Sequence, residues 1–260
     1  MLPSMPRIEL AAEKLFDFFG FPVTNALLTS WIVVFVLIIL VVAVRRVRII
    51  PSGLQNVFEV FIEGFLGLME GIFGSREKAE KYFPIVGTIF LFVLTSNWLG
   101  ILPGVGSIEF IVNAHEKFPL FRSAASDLNF TLALGIAAVL LVNISGVSAL
   151  GIKKHLSKFF TIRNPIDSFV GILEFVSEFA KIISFSFRLF GNVFAGEVLL
   201  AITAFVAQVL TPASLASYQS GVMALALMPF LGLEIFVGLV QALVFAMLTM
   251  VFVSIAVAHH

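Results

Sequence analysis

Charged side chains lie inside two long apolar stretches in the C-terminal part of the chain. There are six of them: Glu174, Glu178, Lys181, Arg188, Glu197 and Glu234. An ionised group at the centre of a bilayer costs roughly 2.5 kcal/mol or more, so such charges mark functional sites by default. A guanidinium stays protonated at any working pH. The pattern therefore predicts that Arg188 holds passing carboxylates in their ionised form and repels protons or cations that move past it.

Most of the polarity of the first stretch falls on one helical stripe. At 100° per residue, the polar side chains within about 40° of Arg188 are Glu174, Lys181, Ser184 and Asn192. Glu197 falls on the opposite side of an ideal helix. Either Glu197 faces a different cavity or the helix bends between the two residues.

The second stretch carries two polar residues on one face. Glu234 and Gln241 are seven positions apart, which is close to two helical turns. A glutamine amide offers an acceptor to an arginine and two donors to a carboxylate, so Gln241 is a suitable partner for Arg188. We expect Glu197 and Glu234 to line one aqueous access path. The two glutamates that precede Lys181 are expected to line another.

Several of these residues also fit a purely structural role. Glu178 and Lys181 lie near a basic break in the hydrophobicity and can form a simple interfacial ion pair at positions i and i+3. The long side chain of Arg188 can extend to the membrane surface, although it lies near the middle of its stretch. The polar residues that fit hydrogen bonds between helices are Gln241, Asn97, Asn143 and Ser184.

The remaining sequence offers little other chemistry. His115 is expected to be a loop residue rather than a ligand, and His259 and His260 end the chain without metal-ligand spacing. There is neither a glycine-rich phosphate loop nor a Ser-His-Asp arrangement. Zero Cys excludes disulfides, thiolate metal sites and cysteine nucleophiles. We therefore expect no catalytic residue, no cofactor and no metal.

The composition indicates which kind of structure positions these charges. Of the 260 residues, 60% are hydrophobic and 12% are charged, against about 25% charged residues in soluble domains. The polar surface is too small to cover a globule, which excludes a soluble enzyme, a disordered chain and a nucleic-acid-binding protein. The 16 basic and 16 acidic residues cancel, so the net charge indicates no partner. We predict an all-α, polytopic membrane protein.

Five transmembrane helices and one interfacial helix are predicted within a single membrane domain, residues 1–260. The spans contain the roughly 20 largely apolar residues that a membrane helix needs. They are residues 23–44, 84–102, 127–150, 168–210 and 214–258. Residues 52–74 are amphipathic, with three glutamates on one face, which is typical of a helix lying in the membrane surface. The last two runs are about twice as long as the hydrocarbon is thick, which predicts a long, strongly tilted hairpin.

Charges between the runs predict the orientation. Basic clusters follow the first run, at residues 45–48, and the third run, at residues 153–163, whereas residues 103–126 have mixed charges. Because basic loops stay inside, the N-terminus is expected outside and the C-terminus in the cytoplasm. The first run is long for a signal peptide and is followed by arginines, so we expect it to be retained.

One continuous segment carries a family resemblance. The stretch from Ser184 to Glu197 reads SFSFRLFGNVFAGE. With this stretch, the chain resembles subunit a of the F-type ATP synthase, the stator channel beside the rotating c ring. Further agreement comes from the arginine-ended first span, the interfacial helix, the Leu-Pro that ends the second span, Asp127-Leu-Asn-Phe-Thr and Gln241-Ala-Leu-Val-Phe.

The resemblance implies a role for each matching position. Arg188 matches the arginine that separates two half-channels and ionises each arriving c-ring carboxylate. Glu197 and Glu234 match residues that line the external half-channel. The polar neighbours of the arginine are matched by Asn192 and Gln241. The cytoplasmic side of the path is matched by Glu174 and Ser184, with Glu178 and Lys181 as weaker candidates.

The external entrance departs from the family pattern. Gly100 stands where some relatives have an aspartate, so no entrance carboxylate is assigned there. His115 and Glu109 are weaker candidates for that position.

The resemblance also implies the partners and the setting. We expect a non-catalytic subunit that couples ion flow, with protons as the ion, to ring rotation and ATP synthesis in a bacterial cell membrane. Its partners would be the c ring, the b subunits and through them the catalytic head, together with membrane lipid and without nucleic acid. A secondary ion-coupled transporter and a non-conducting membrane scaffold are the alternatives. A transporter would usually show internal repeats, and the sequence has none that we recognise.

Overall fold

The computed structural model describes residues 11–44, 53–102, 109–113, 116–159, 165–211 and 219–258. Helices make up most of these ranges. They are α1 (Asn25–Val44), α2 (Leu54–Phe73), α3 (Arg76–Ile101), α4 (Leu128–Leu150), α5 (Ile152–Ser157), α6 (Pro165–Leu210) and α7 (Gln219–Ala258). Among them, α1, α3, α4, α6 and α7 are long and apolar enough to cross a membrane. The predicted all-α membrane architecture is therefore confirmed.

Two short antiparallel hairpins, which were not predicted from the sequence, accompany the helices. They are β1 (Lys14–Phe18) with β2 (Phe21–Thr24), and β3 (Glu109–Asn113) with β4 (Glu116–Pro119). Phe19 and Gly20 connect the first pair with φ values of 50° and 84°. Positive φ at both central residues is what a tight turn of this kind requires. The first hairpin precedes α1, and the second lies between α3 and α4. The described part of the chain remains mostly helical.

Helix α3 begins at Arg76, ahead of the predicted start of the second span at residue 84. The charged segment before Pro84 is helical, and Arg76 Nε donates to Glu80 Oε1 at 3.0 Å one turn later. Such a pair favours helix in a segment that has no apolar periodicity. Pro84 lies inside the helix and costs one backbone hydrogen bond there. The proline therefore does not mark the beginning of the helix.

Helix α4 has well-defined ends. Asp127 caps its N-terminus, because Asp127 Oδ1 accepts a hydrogen bond from the backbone N–H of Asn129 at 3.0 Å. At the other end, Gly151 adopts a φ of 82° and its N–H donates to the Val147 carbonyl at 2.9 Å. Glycine takes this left-handed conformation at little cost, so it ends the helix and allows α5 to follow.

Helices α6 and α7 contain 46 and 40 residues. At 1.5 Å per residue these lengths correspond to about 69 Å and 60 Å, roughly twice the hydrocarbon thickness. Helix α6 starts at Pro165, a residue suited to the first turn, where its missing N–H has no intrahelical partner. The predicted start of the last run, at residues 214–218, lies outside the described residues. Much of α6 is apolar and exposed, which suits contact with lipid or with another subunit.

The chain divides into two compact units, and each is assembled from three segments. The first unit comprises Met1–Val33, Val93–Thr131 and Arg188–Gln241. The second unit comprises Val34–Phe92, Leu132–Phe187 and Ala242–His260. The single membrane domain remains a prediction. The unit boundaries cut through the long helices, so each unit takes its own part of α6 and α7.

Side chain to backbone contacts hold α3 and α7 together in the first unit. Asn97 Nδ2 donates to the Gly238 carbonyl at 3.0 Å, and Trp98 Nε1 donates to the Ile235 carbonyl at 3.1 Å. Gly238 allows the close approach, because a Cβ there would lie 3.2 Å from the Cβ of Asn97. The contact positions the polar face of α7 next to the end of α3.

Aromatic rings fill the interior of the second unit. Phe61 and Phe65 of α2 contact Phe90 of α3, with ring centroids 5.2 and 4.8 Å apart. Phe185 of α6 contacts Phe245 of α7 at 4.5 Å. These rings bury large apolar areas and explain why α2 packs along its phenylalanine face.

Candidate functional site

A cavity of about 210 Å³ in the first unit collects polar side chains from four separate segments. Asn97 comes from α3, Arg122 and Ser123 from the connection before α4, Glu197 from α6 and Glu234 from α7. The two glutamates therefore line one space, and the aqueous access path that the sequence suggested for them stays a prediction. Glu197 reaches it although it lies on the opposite side of α6 from Arg188 in an ideal helix.

Arg122 and Glu197 form the ion pair of this cavity. Arg122 Nε lies 3.0 Å from Glu197 Oε1 and 3.3 Å from Oε2, and its Nη2 lies 3.3 Å from Oε2. The Arg122 side chain is 5% exposed and that of Glu197 is 38% exposed. Charge-assisted contacts to both carboxylate oxygens fix the orientation of Glu197 as well as its charge.

Glu234 lines the same cavity in a different way. Its side chain is half-buried, and its Oε2 is a buried atom without a hydrogen-bond partner among the described residues. Gly196 of α6 faces it so closely that a Cβ at residue 196 would collide with the Glu234 carboxylate. A glycine in α6 therefore makes the room that this carboxylate occupies.

A smaller, narrow cavity continues from Glu234 to the amide side chains of the first unit. It is lined in part by Asn97, Asn192, Glu234 and Gln241. Asn192 Nδ2 donates to Gln241 Oε1 at 2.7 Å. Gln241, which the sequence suggested as a partner for Arg188, thus accepts a hydrogen bond from Asn192, one turn after Arg188. Its pairing with Arg188 stays a prediction.

Unpartnered polar atoms are concentrated along these two cavities and beside them. In the described part of the first unit, the buried side-chain atoms that lack a hydrogen-bond partner are Ser96 Oγ, Asn97 Oδ1, Ser123 Oγ, Glu234 Oε2 and Gln241 Nε2. Buried polar groups are nearly always hydrogen-bonded to protein or to water. A polar cavity with several such groups is therefore a place that water can occupy.

Arg188 lies on the exposed surface of α6, whereas the neighbouring Leu189 is completely buried. Ser184, one turn earlier, is exposed as well. Both side chains are thus accessible to groups outside the chain. A guanidinium within an apolar helix surface offers a fixed positive charge to an anionic group that approaches this face.

A second polar cluster lies in the second unit around Glu178, which is only 9% exposed. Glu178 Oε1 accepts from Lys181 Nζ at 3.0 Å and from Lys158 Nζ at 3.5 Å. Glu178 Oε2 accepts from Asn143 Nδ2 at 3.1 Å. The Glu178 and Lys181 pair that the sequence allowed is present, and it is one part of a larger buried network.

The network extends from Asn143 to His155 and from Lys158 to Glu174. Asn143 Oδ1 lies 3.0 Å from His155 Nε2, and His155 is 4% exposed. Lys158 Nζ lies 3.7 Å from Glu174 Oε1. Asn143 and His155 therefore do more than pack helices, because they fix the far oxygen of Glu178.

Arg122, His155 and Lys158 belong to these two clusters, although nothing in the sequence pattern marked them as site residues. Arg122 appeared only as one charge in a mixed loop, since nothing local connects it to Glu197, 75 positions away. One signal could have identified Arg122. An acidic residue inside a span favours a nearby cation, and the adjoining loops contain few basic residues that could serve. His115 lies outside the described residues, and Glu109 lies in β3. The described residues contain no group of three or more His, Cys, Asp or Glu side chains suited to a metal.

These features define a polytopic, α-helical integral membrane protein with ionisable side chains gathered within its spans. A sequence profile described as ATP synthase A chain matches residues 27–254. The ATP synthase subunit a of Campylobacter fetus subsp. fetus (strain 82-40) is 32% identical over 226 residues, 87% of this chain and 86% of the relative. The subunit a of Helicobacter pylori (strain Shi470) is 33% identical over 83% of this chain and 81% of its own length. The chain belongs to the ATP synthase subunit a family.

A more distant relative agrees over almost the full chain. The ATP synthase subunit a of Moorella thermoacetica (strain ATCC 39073 / JCM 9320) is 29% identical over 248 residues, 95% of this chain and 97% of the relative. The profile match over residues 27–254 overlaps each of the five helices in the described ranges that are long and apolar enough to cross a membrane. The chain is therefore a membrane component of the ATP synthase.

Proposed function

We propose that this chain is the ion-translocating stator subunit of the membrane sector of an F-type ATP synthase. It provides two offset half-channels that load and unload carboxylates of a rotating c ring, and it couples proton flow to rotation and ATP synthesis. It has no catalytic site of its own. Its partners are the c ring, the b subunits and through them the catalytic head, in a bacterial cell membrane with the N-terminus outside.

The observation that carries the proposal is the run of unpartnered polar atoms in the first unit. They begin at Ser123 beside Arg122, continue through Glu234 and Asn97, and end at Gln241. Water that satisfies these groups would form a hydrogen-bonded path for protons. The path ends where Gln241 contacts Asn192, one turn from Arg188.

The external half of the mechanism uses this path. A proton enters past Glu197 and Glu234 and reaches the face of α6 that carries Arg188. There it neutralises a c-ring carboxylate, because the neutral form can enter lipid at far lower cost than the ion. Ring rotation then carries the apolar site away.

The cytoplasmic half releases the proton. After nearly a full turn the carboxyl group meets the second path, which we assign to Glu174 and Ser184, with Glu178 and Lys181 in supporting positions. The ionised carboxylate is then held by the exposed Arg188. Because the fixed positive charge repels protons, ions pass between the two paths only when the ring rotates.

Substitution of Arg188 tests this function most directly. In inverted membrane vesicles, Arg188→Ala is expected to abolish ATP-driven proton pumping and to allow passive leak, measured by a pH-sensitive dye. Lys154→Ala is the matched control, since this exposed cation lies in α5 outside the proposed path. Normal coupled synthesis in Arg188→Ala would rule out the proposal. Ion transport by the purified chain alone would instead favour a secondary transporter.

A further inference from the structure

We propose that the first β-hairpin, β1 (Lys14–Phe18) with β2 (Phe21–Thr24), lies on the bilayer and inserts its phenylalanines among the lipids of the leaflet at which α1 begins. The hairpin acts as an additional anchor in the membrane surface beside the spanning helices. The inference uses the membrane location of the chain and does not depend on the proposed function. It rests on the two faces of the hairpin, on the conformation of its turn and on its connection to α1.

The two faces of the hairpin differ in polarity. Residues that pair across two strands share a face, and successive residues along a strand alternate between faces. The pairs that share the aromatic face are Phe16 with Val23 and Phe18 with Phe21. Asp17 lies on the other face, where its carboxylate is 2.8 Å from Lys14 Nζ. The pairing register shifts between Lys14 and Phe16, which lets Lys14 reach this charged face.

The aromatic face and the turn are open to the surroundings of the chain. The exposed fractions are 45% for Phe16, 62% for Phe18, 91% for Phe19 and 77% for Phe21. Single exposed apolar residues are normal on a protein surface, whereas a contiguous apolar patch marks contact with a partner or with a membrane. The four phenylalanines of residues 16–21 form such a patch.

Phe19 is an unfavourable residue for its position in the turn. Its φ of 50° lies in the left-handed region, where a bulky side chain is strained and Asn or Gly is preferred. Because Phe19 is almost fully exposed, contacts within the chain do little to offset this strain. Insertion of the ring into the membrane surface does offset it, because the ring then leaves water.

The hairpin connects directly to a helix that can cross the membrane. β2 ends at Thr24 and α1 begins at Asn25. Trp31 of α1 is exposed, and tryptophan favours the interface between membrane and water. At 1.5 Å per residue, Asn25 lies about 9 Å from Trp31 along the helix. Strands of four or five residues extend about 13–17 Å, so the turn is long enough to reach the level of Trp31.

The base of the hairpin is fixed while its turn is exposed. The Asn25 backbone N–H donates to the Glu13 carbonyl at 3.1 Å, and Asn25 Nδ2 donates to the Pro119 carbonyl at 3.2 Å. Asn25 is completely buried. Protein interfaces place hydrogen-bonding side chains among the apolar ones, whereas the aromatic face of the hairpin carries only Phe and Val side chains. Its chemistry and its position beside α1 therefore favour lipid over a protein partner.

Photo-crosslinking identifies the neighbour of the aromatic face. The phenylalanine analogue p-benzoylphenylalanine replaces Phe18 in the complete synthase, and native membranes are irradiated. We expect a covalent product of this chain with one phospholipid, detected by mass spectrometry. The analogue in place of Asp17 is the matched control on the charged face. Its lipid product should be at least about tenfold less abundant, a ratio that the burial of one phenylalanine side chain supports.

Three outcomes of the crosslinking overturn the inference. A product with another subunit or with a second copy of this chain would show that protein covers the aromatic face. Equal lipid products at residues 17 and 18 would show that neither face is selected. No product at residue 18 would show that the aromatic face lies in water.

Cysteine labelling gives an independent test. The chain has no Cys, so a membrane-impermeant maleimide on the gel band of this chain reports only an introduced residue. Asp17→Cys should react at least about tenfold faster than Phe18→Cys or Phe21→Cys, because the reactive thiolate needs water. Labelling after denaturation in SDS confirms that equal amounts of the three variants are present. Equal rates in the native membrane overturn the inference.

The labelling also separates this inference from the proposed function. The reaction is run on spheroplasts and on inverted vesicles, and the preparation in which Asp17→Cys reacts gives the side of the hairpin. The proposed function places it outside. Reaction of Asp17→Cys only in inverted vesicles would contradict that orientation, whereas the ratio between Asp17→Cys and Phe18→Cys would still decide whether the aromatic face is inserted.

Discussion

The polar clusters of the two units contain similar residue types but satisfy them to different degrees. Around Glu178 in the second unit, two lysines and an asparagine use both carboxylate oxygens. Around Glu234 in the first unit, one carboxylate oxygen and several neighbouring amide and hydroxyl atoms have no partner among the described residues. One cluster is a closed network of direct bonds, and the other is a lined cavity.

The difference indicates which polar residues stabilise the fold and which line a cavity that protons can cross. A fully satisfied buried network is rigid and costly to disturb. A cavity whose groups depend on water exchanges partners easily and can pass protons. The comparison predicts that substitutions near Glu178 mainly change stability, whereas substitutions near Glu234 mainly change the rate of pumping per assembled complex.

The largest expected effect follows from Glu234→Gln. This substitution keeps the size of the side chain but removes the carboxylate that takes up the proton in the proposed external path. A positioned acid or base contributes about 10²- to 10⁴-fold to the rate of proton transfer, so ATP-driven pumping should fall by a similar factor. The assembled amount of the synthase should hardly change. A Glu234→Gln variant that assembles poorly but pumps normally per complex would contradict the expectation that substitutions near Glu234 change the pumping rate rather than stability.

The second prediction concerns Glu178→Ala. Two lysines would lose a buried counter-charge, and removal of one partner of a buried ion pair costs about 3–5 kcal/mol. The free energy of unfolding in mixed micelles should fall by that amount. Glu174→Ala is the matched control, because its 3.7 Å contact with Lys158 is partly exposed and should be worth less than about 1 kcal/mol. Equal losses for the two variants would show that the network around Glu178 is not cooperative.

The fold could be predicted well because hydropathy and helix signals act locally. Uninterrupted apolar runs identified the spans, because a membrane helix needs about 20 largely apolar residues in a row. The prediction failed where the signal was short or ambiguous. The hairpins contain four or five residues per strand, and α3 extends through a charged segment that resembles a solvated loop.

The candidate site could be predicted only in part. A charged residue inside an apolar span is visible in the sequence, so Arg188, Glu197 and Glu234 could be proposed as site residues from the sequence alone. Their partners could not be identified, because the contact between Arg122 and Glu197 depends on tertiary folding across 75 positions. The same holds for Asn143, which reaches Glu178 across 35 positions. In both pairs, the sequence around one residue contains nothing that identifies its partner.

A third prediction compares one glycine from each unit. A Cβ at Gly146 would lie 2.6 Å from His155 Cε1 and 3.2 Å from the Ala256 carbonyl. Gly146→Ala should therefore destabilise the protein by about 1–3 kcal/mol, as overpacking usually does. Gly196→Ala meets only the movable Glu234 side chain, so it should slow pumping with little loss of stability. Thermal unfolding and pumping rates measured on both variants test this prediction. Equal losses of stability and equal pumping rates in the two variants would contradict it.

The smallest expected effect comes from an exposed ion pair of the second unit. Arg76 donates to both oxygens of Glu63 at 2.9 and 2.8 Å, and these hydrogen bonds hold the pKa of Glu63 below its ordinary value of 4.5. A lowered pKa in the folded state stabilises the protein above the ordinary value, and this contribution disappears as the pH falls through the lowered one. Exposed pairs of this kind contribute little and are weakened by salt.

Glu63→Gln should accordingly lower the unfolding midpoint slightly at pH 7 and low salt, and the difference from wild type should vanish as the pH falls through the lowered pKa of Glu63. Glu59→Gln is the matched control on the same helix, because Glu59 accepts from the neutral Gln55 at 2.7 Å. Midpoints for wild type and Glu63→Gln that run parallel over the whole pH range would show that the pair contributes nothing. A difference as large as that of Glu178→Ala would mean that an exposed pair stabilises as much as the buried network, and the contrast between closed and open clusters would lose its physical basis.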